Sequence, residues 1–344
     1  MQIDPKEFLK KEVSRKLLMF PGDMAGCCHY RLLIPMYGLL KANKCECKLT
    51  MRMYPGQLSW NPNAVVFSRQ HKEDVQKEID EWKTTNSRLI YDVDDNLFNL
   101  HPSNPGQKSF QKVKKQLINT IQKCDVLTVS TEPLRERYSK IHDNIRILPN
   151  QIIPQYAQLK VPNDTDKIRI GWAGTNTHVS DFGEAINAMY DLANKYDNIK
   201  FVFFGYYPKG IDSFLKEDQF EFHDFVDISK YHLKLAMLKL DIGIAPLLDN
   251  EFNMGKSNLK ILEYGLFKVP TVASPVYPYK TTIKDNTDGI IVNKNKRKNW
   301  KKALENLIVN EDERRKMGEN IYNKVMSEYN IYNNLHLWED VYFN

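Results

Sequence analysis

Lys256, Lys260 and Glu263 fall at i, i+4 and i+7 in the segment 253–265, whose Leu259 and Leu262, with Leu266 just beyond, mark the side that must be buried. On a helix starting after Gly255, that spacing aligns two cations and a carboxylate along one stripe. Free backbone N–H groups at such a helix start, together with the helix dipole, attract a diphosphate. Lys256 and Lys260 would add cations there, Ser257 and Asn258 would flank the same loop, and Glu263 could accept hydrogen bonds from a ribose diol. The same spacing also describes an ordinary surface helix with a Lys–Glu pair, and spacing alone leaves both readings open.

A second cluster, 171–178, reads Gly-Trp-Ala-Gly-Thr-Asn-Thr-His after an apolar strand. Gly174 lets the backbone approach a phosphate and Thr175 can donate to it. His178 is either a phosphate donor or a helix-start residue. Between Trp172 and Tyr196 the only Arg or Lys is Lys195, too late to help. Lys256 and Lys260 could supply the cations that this loop lacks, and with His178 they are the candidate catalytic groups. In the first half, Asp92, Asp94 and Asp95 end a strand. Carboxylates at alternate positions can hold Mg²⁺ or Mn²⁺. They can equally bind substrate hydroxyls or act as base, or form a turn and capping cluster. Asp23 lies between Gly22 and Gly26, with Arg31 on the following helix. That loop either lies against a bound substrate, or is a plain strand-to-helix turn on scaffold.

The elements that must position these groups are short apolar runs alternating with 3.6-period segments, the pattern of an α/β fold with parallel sheets. In the first half, strands are expected at 16–20, 64–68, 88–93, 126–130 and 145–150, with helices at 29–41 and 72–83. A polar stretch at 161–167 reads as a linker. The pattern then restarts, with strands at 168–172, 200–205, 221–226, 242–246, 270–274 and 289–292 and helices at 181–196, 231–240 and 258–267. Two such series predict two Rossmann-like, doubly wound domains facing across a cleft, 1–160 and 161–325; the resemblance described below makes the first the acceptor side and the second the donor side. A helical, aromatic tail from 312 to 342 is long enough to return, so that 326–344 packs on the first domain.

Bulk properties agree with a soluble globular chain: 344 residues, 42% hydrophobic and 27% charged, fitting about two domains. The charged N-terminus lacks the apolar core of a signal peptide, and the longest apolar runs fall far short of the ~20 residues that span a bilayer. The expectation is a cytoplasmic protein, with peripheral membrane contact still open. Five cysteines without a Cys-x-x-Cys pair read as reduced thiols rather than a zinc site. A net charge of +6 suits anionic partners without selecting one.

The segment 253–274 resembles the donor-binding signature of the retaining group 1 glycosyltransferases, which have the two-domain GT-B fold. Glu263 matches that family's ribose-binding Glu, and Val269–Ser274 its following strand. Tyr30-Arg31 with Pro35, Tyr91–Asp95, Gly171–His178 and Lys256–Lys260 together resemble a divergent branch found in bacterial polysaccharide clusters and in phages. The resemblance runs from about Pro21 to Trp300. It implies sugar transfer, with retention, from a nucleoside-diphosphate sugar to an acceptor hydroxyl, with no cofactor and no essential metal. It implies donor contacts at Gly174, Thr175, Gly255, Ser257, Asn258 and Glu263, a nucleobase near Ile228, and an acceptor side formed by Asp23, Arg31, Asp92, Asp94 and Asp95. The acceptor is a glycan, a lipid-linked glycan or modified DNA; phage-type transfer to hydroxymethylated bases and an inactive nucleotide-sugar-binding protein are the alternatives. The chain departs from the family at one place: Gly255 stands where the first Glu of the Glu-x7-Glu pair is expected.

Overall fold

The computed structural model describes residues 14–54, 56–100, 107–159 and 166–344. The charged N-terminal heptapeptide, the boundary at 160 and most of the expected linker lie outside the described residues. The first sheet comprises β1 (Lys16–Phe20), β2 (Glu46–Leu49), β3 (Ala64–Ser68), β4 (Arg88–Val93), β5 (Val126–Val129) and β6 (Ile145–Ile147). Its order is β2-β1-β3-β4-β5-β6, parallel throughout. The second comprises β7 (Ile168–Ala173), β8 (Ile199–Phe204), β9 (Phe220–His223), β10 (Ile242–Ala245), β11 (Thr271–Ala273) and β12 (Ile290–Ile291). Its order is β12-β11-β10-β7-β8-β9, also parallel.

Strands covered on both faces must be apolar almost continuously, and β3 and β5 are buried at every residue. β2 is different. Its Glu-Cys-Lys-Leu alternates exposed and half-buried positions at the sheet edge, so it carries no continuous apolar signal and the sequence pattern does not reveal it. Strand order reverses between β1 and β3 and between β7 and β10. In doubly wound sheets such reversals open a crevice at the carboxyl ends of the strands, where ligands bind. The loops after β7 and β10 carry Gly174 to His178 and Leu247 to Ser257.

The single tail helix expected from the sequence is two helices, Glu311–Glu328 and Ile331–Phe343. The first gives Ile321 and Val325 to the second domain's core. The second gives Ile331, Leu335, Trp338, Val341 and Tyr342 to the first domain's core, against Leu17, Leu39 and Ile90. The break between them is a backbone crossing. Ile152 N donates to Tyr329 O at 2.8 Å and Ile331 N to Ile152 O at 3.1 Å, so the returning tail runs beside the outgoing chain. Asn330 Oδ1 accepts from Tyr332 N at 3.0 Å and caps the new helix.

Trp338 is 1% exposed in this core. Trp338→Ala should therefore cost about 3–5 kcal/mol through the cavity it leaves. A thermal melt that shows no loss of stability would mean that the last helix is dispensable to the first domain.

Candidate active site

β7 ends at Ala173, and the chain turns past Trp172 at Gly174. A Cβ at Gly174 would lie 2.6 Å from the Trp172 ring and 3.0 Å from Lys260 Nζ, so only glycine passes. Lys260 reaches this point from the helix Leu259–Gly265. Its ammonium donates to Ala173 O and lies 4.7 Å from the Trp172 ring centroid. Burial pulls its pKa down to about 8; Glu263 opposes that shift and Lys256 reinforces it. The cation missing from the loop after β7 is thus supplied to the same spot from a neighbouring helix.

His178 lies in the 3₁₀ turn Asn176–Phe182, and its Nδ1 is 2.8 Å from Asp181 Oδ2. Burial lowers the imidazole pKa to about 4; Asp181 pulls it up, and Lys256 and Lys260 push it further down. At neutral pH the ring is uncharged. Lys256 corrects the sequence reading: helix Glu251–Met254 ends before Gly255 and the next begins at Leu259, so Lys256 sits on the intervening loop and not on one helical stripe with Lys260 and Glu263. Its Nζ is 3.7 Å from Asp95 Oδ1, across the cleft.

Glu263 is buried where the domains meet. Tyr30 of the first domain donates its hydroxyl to Glu263 Oε1 at 2.5 Å, and Tyr231 donates to Oε2 at 2.9 Å. Burial raises the pKa of the carboxyl group; the Tyr30 hydrogen bond and the Lys260 charge oppose the shift. With the only hydroxyl proton of Tyr30 spent on Glu263, His232 Nε2 at 3.1 Å must carry a proton and donate to the Tyr30 oxygen. His232 also stacks on Tyr156 at 4.0 Å between centroids. Tyr30 and Arg31 sit in a wide π-turn, His29–Leu33, which sends one side chain toward the second domain and the next into the first.

A cavity of about 340 Å³ runs between the domains and gathers Gly174, Thr175, His178, Ile228, Lys256, Ser257, Lys260 and Glu263 from the second, with Asp94 and Asp95 from the first. Phe225, also on its wall, is 55% exposed beside Ile228. An exposed ring on the loop after β9 is a signal that the sequence carried and that went unread. Tyr231, His232, Asp181 and Asn253 were likewise not singled out, although the His178-x-x-Asp181 spacing was visible.

Several expected site residues are not brought to the cavity. Arg31 and Asp92 form a buried ion pair at 2.7 Å, with side chains 1% and 3% exposed. Arg31 also donates to Leu148 O and to Asn150 Oδ1, and Thr128 donates to Asp92 Oδ2 at 2.7 Å. This network ties β4, β5 and the end of β6 to the first helix, so both residues are scaffold beneath the cleft. Asp23 caps its own loop by accepting from Ala25 N at 2.8 Å. Asn258 donates to Thr282 at 2.9 Å, away from the cavity. Asp92, Asp94 and Asp95 diverge, facing Arg31, Arg69 and Lys256 respectively. Gly255 abuts the first domain: a Cβ there would lie 2.9 Å from Leu134, and its carbonyl accepts from Thr131 at 2.9 Å. A side chain at that position would have to push aside the end of the Leu134 side chain. Next to it opens a groove of about 290 Å³ lined by Asn96, Leu134, Glu136, Arg137, Lys140 and Glu251.

Two parallel doubly wound sheets facing across such a cleft make this a GT-B protein. Residues 158–324 match the family model described as glycosyl transferases group 1. No curated protein sequence matches the chain. Among solved structures, a glycosyltransferase from Rickettsia africae ESF-5 has a TM-score of 0.65 at 13% identity, covering 96% of this chain and 97% of that one. Anabaena HepE, solved with UDP, has a TM-score of 0.64 at 11% identity, covering 95% and 99%. A point mutant of S. aureus TarM, solved with Fondaparinux, alpha-GlcNAc-glycerol and UDP, has a TM-score of 0.59 at 14% identity and covers 82% of this chain. This chain spans 55% of the TarM chain. At these identities the likeness carries the fold.

Arg31→Ala would leave Asp92 charged and buried, a change worth about 3–5 kcal/mol. The melting temperature should fall while the folded fraction keeps its affinity for nucleotide. A variant that melts like the parent but loses activity would put Arg31 on substrate.

Proposed function

We propose that this protein transfers a glycosyl group, with retention, from a nucleoside-diphosphate sugar to an acceptor hydroxyl. The observation that carries the reading is the convergence of two cations, Lys256 and Lys260, beside His178 on the loop after β7, where strand order reverses. A leaving diphosphate gains negative charge as the sugar–phosphate bond breaks, and preorganised cations aimed at that charge stabilise the transition state more than the ground state. Glu263 lies close enough to Lys260 to feel its charge, which suits a ribose attached to the same diphosphate. Phe225 and Ile228, further along the cavity, offer an apolar surface to a nucleobase. The UDP held by HepE makes uridine nucleotides the first donors to examine.

With no carboxylate at position 255, recognition of the donor sugar falls to backbone groups and to Asp94 and Asp95. The neighbouring groove mixes Glu136 and Glu251 with Arg137 and Lys140. Alternating charge beside an apolar Leu134 and Met254 favours a hydroxyl-rich glycan acceptor over a polyanion such as DNA, which calls for a continuous basic track. Transfer needs no divalent ion in this scheme, because lysines offset the diphosphate.

The test is a panel of nucleotide sugars by thermal shift, followed by nucleoside diphosphate release with and without EDTA. A cognate donor at a hundred times its Kd should stabilise the fold by about 2.7 kcal/mol. Turnover should survive chelation, and Lys260→Ala should lower kcat on the order of a hundredfold. Above about pH 8 the parent should lose kcat/KM as Lys260 deprotonates, and Lys260→Arg should move that limb upward, since Arg stays charged. Loss of turnover in EDTA, restored by Mn²⁺, would contradict the lysine-based scheme.

A further inference from the structure

We propose that Asp181 positions His178 so that the pair takes up one proton when a nucleoside diphosphate enters the cleft, converting His178 Nε2 from an acceptor into a donor to the phosphate. This rests on reading the cavity as a nucleoside-diphosphate site. Asp181 is itself anchored: its Oδ1 accepts from Leu248 N at 2.9 Å and from Asn253 Nδ2 at 2.9 Å, while Oδ2 faces His178. Asn253 Nδ2 also donates to Leu248 O at 3.0 Å, so the loop after β10 clamps the carboxylate from two sides. Asp181 is 5% exposed, and these hydrogen bonds hold its pKa below the ordinary carboxylate value against the pull of burial. An ionised Asp181 can only accept, so the proton between the two lies on Nδ1. In a neutral ring that leaves Nε2 with a lone pair. Such a nitrogen repels phosphate oxygen.

The groups around His178 explain both states. From its own turn there is Asp181; from the loop before the helix, Lys256; from the helix, Lys260; and from β7 the edge of the Trp172 ring, 6.1 Å between centroids. Tyr279, from the short helix Tyr277–Lys280, is close enough to feel the Asp181 charge. Two cations and burial keep the empty site from accepting a third positive charge. A diphosphate reverses that field. One proton from solvent then forms the Nε2–H bond, the imidazolium lies between Asp181 and a phosphate oxygen, and the proton returns to water when the nucleotide leaves. The His178 pKa rises in the complex, so nucleotide affinity strengthens as pH falls toward the free value near 4 and weakens as pH rises through the bound value. Asp181 touches no substrate; it fixes which nitrogen can gain the proton.

The test is calorimetric titration at pH 6.5 with whichever of UDP, GDP, CDP and ADP binds most tightly, in two buffers of different ionisation heat. The parent protein, His178→Gln and Asp181→Asn are compared. Gln presents an amide N–H toward the phosphate but does not titrate. Proton changes on Lys260, Glu263 and the phosphate itself are common to parent and His178→Gln and cancel in their difference. The parent should take up about half a proton or more beyond His178→Gln. His178→Gln should bind within a fewfold of the parent yet lose this part of the pH dependence. Asp181→Asn, if its melt shows it folded, should bind with reduced uptake; if it does not fold, His178→Gln decides alone. Equal proton counts in parent and His178→Gln would overturn the proposal. Binding of none of the four nucleotides would overturn the reading of the cleft, and this inference with it.

Discussion

One buried carboxylate joins the two halves of this molecule. Glu263 is held by a tyrosine from each domain, and Tyr30 is held in turn by His232. A buried carboxylate left without donors would be costly, so the interface is constrained to keep both hydroxyls in reach. His29 and His232 come within 5.4 Å of each other beside it, both pushed by burial toward the neutral form, to about 4 and about 3. The π-turn that aims Tyr30 outward also sends Arg31 inward to Asp92. One irregular turn therefore sets both the interdomain contact and the buried network under the first domain's loops.

The remaining contacts follow from that alignment. Thr131 donates to the Gly255 carbonyl, Asn150 donates to Ser257 Oγ at 3.0 Å, and Lys256 faces Asp95. The segment 253–258 is thereby pressed against the first domain, with Leu134 beside Gly255. At the departure from the family's Glu pair, Gly255 lets this segment lie close against Leu134, which a side chain there would have to push aside. What the loop retains is Lys256, aimed across the cavity, and Asn253, which turns away to hold Asp181.

The sheets were legible because parallel strands covered on both faces are written as unbroken apolar runs; Ala64–Ser68 and Val126–Val129 could hardly be read otherwise. β2 was not, since an edge strand with alternating polar residues has no such run. At the site, Gly174, His178, Lys256 and Lys260 could be named because loops after strands in this architecture carry ligands. The helix over 258–267 was legible, but its charged stripe was drawn back one turn too far, because nothing local in Gly-Lys-Ser-Asn says that Lys256 stays on the loop before it. Arg31 and Asp92 were read as cleft residues because an ion pair between positions 61 apart cannot be seen in one sequence. The break at Asn330 was hidden for the same reason: it answers to Ile152, a backbone partner far away in the chain.

Tyr30 holds the Glu263 carboxylate, so under the proposed function Glu263 serves two partners in turn, the tyrosine before a donor binds and the donor ribose after. Donor binding must then displace the Tyr30 hydroxyl. The most direct measurement is the Kd of the cognate nucleotide sugar for Tyr30→Phe, with Glu263→Ala beside it. A hydrogen bond to a charged group is worth about 1.5–3 kcal/mol, so removing the competitor should tighten donor binding roughly tenfold, while Glu263→Ala weakens it. Unchanged or weaker binding in Tyr30→Phe, with Glu263→Ala binding like the parent, would show that Glu263 only holds the domains together and that the ribose lies elsewhere.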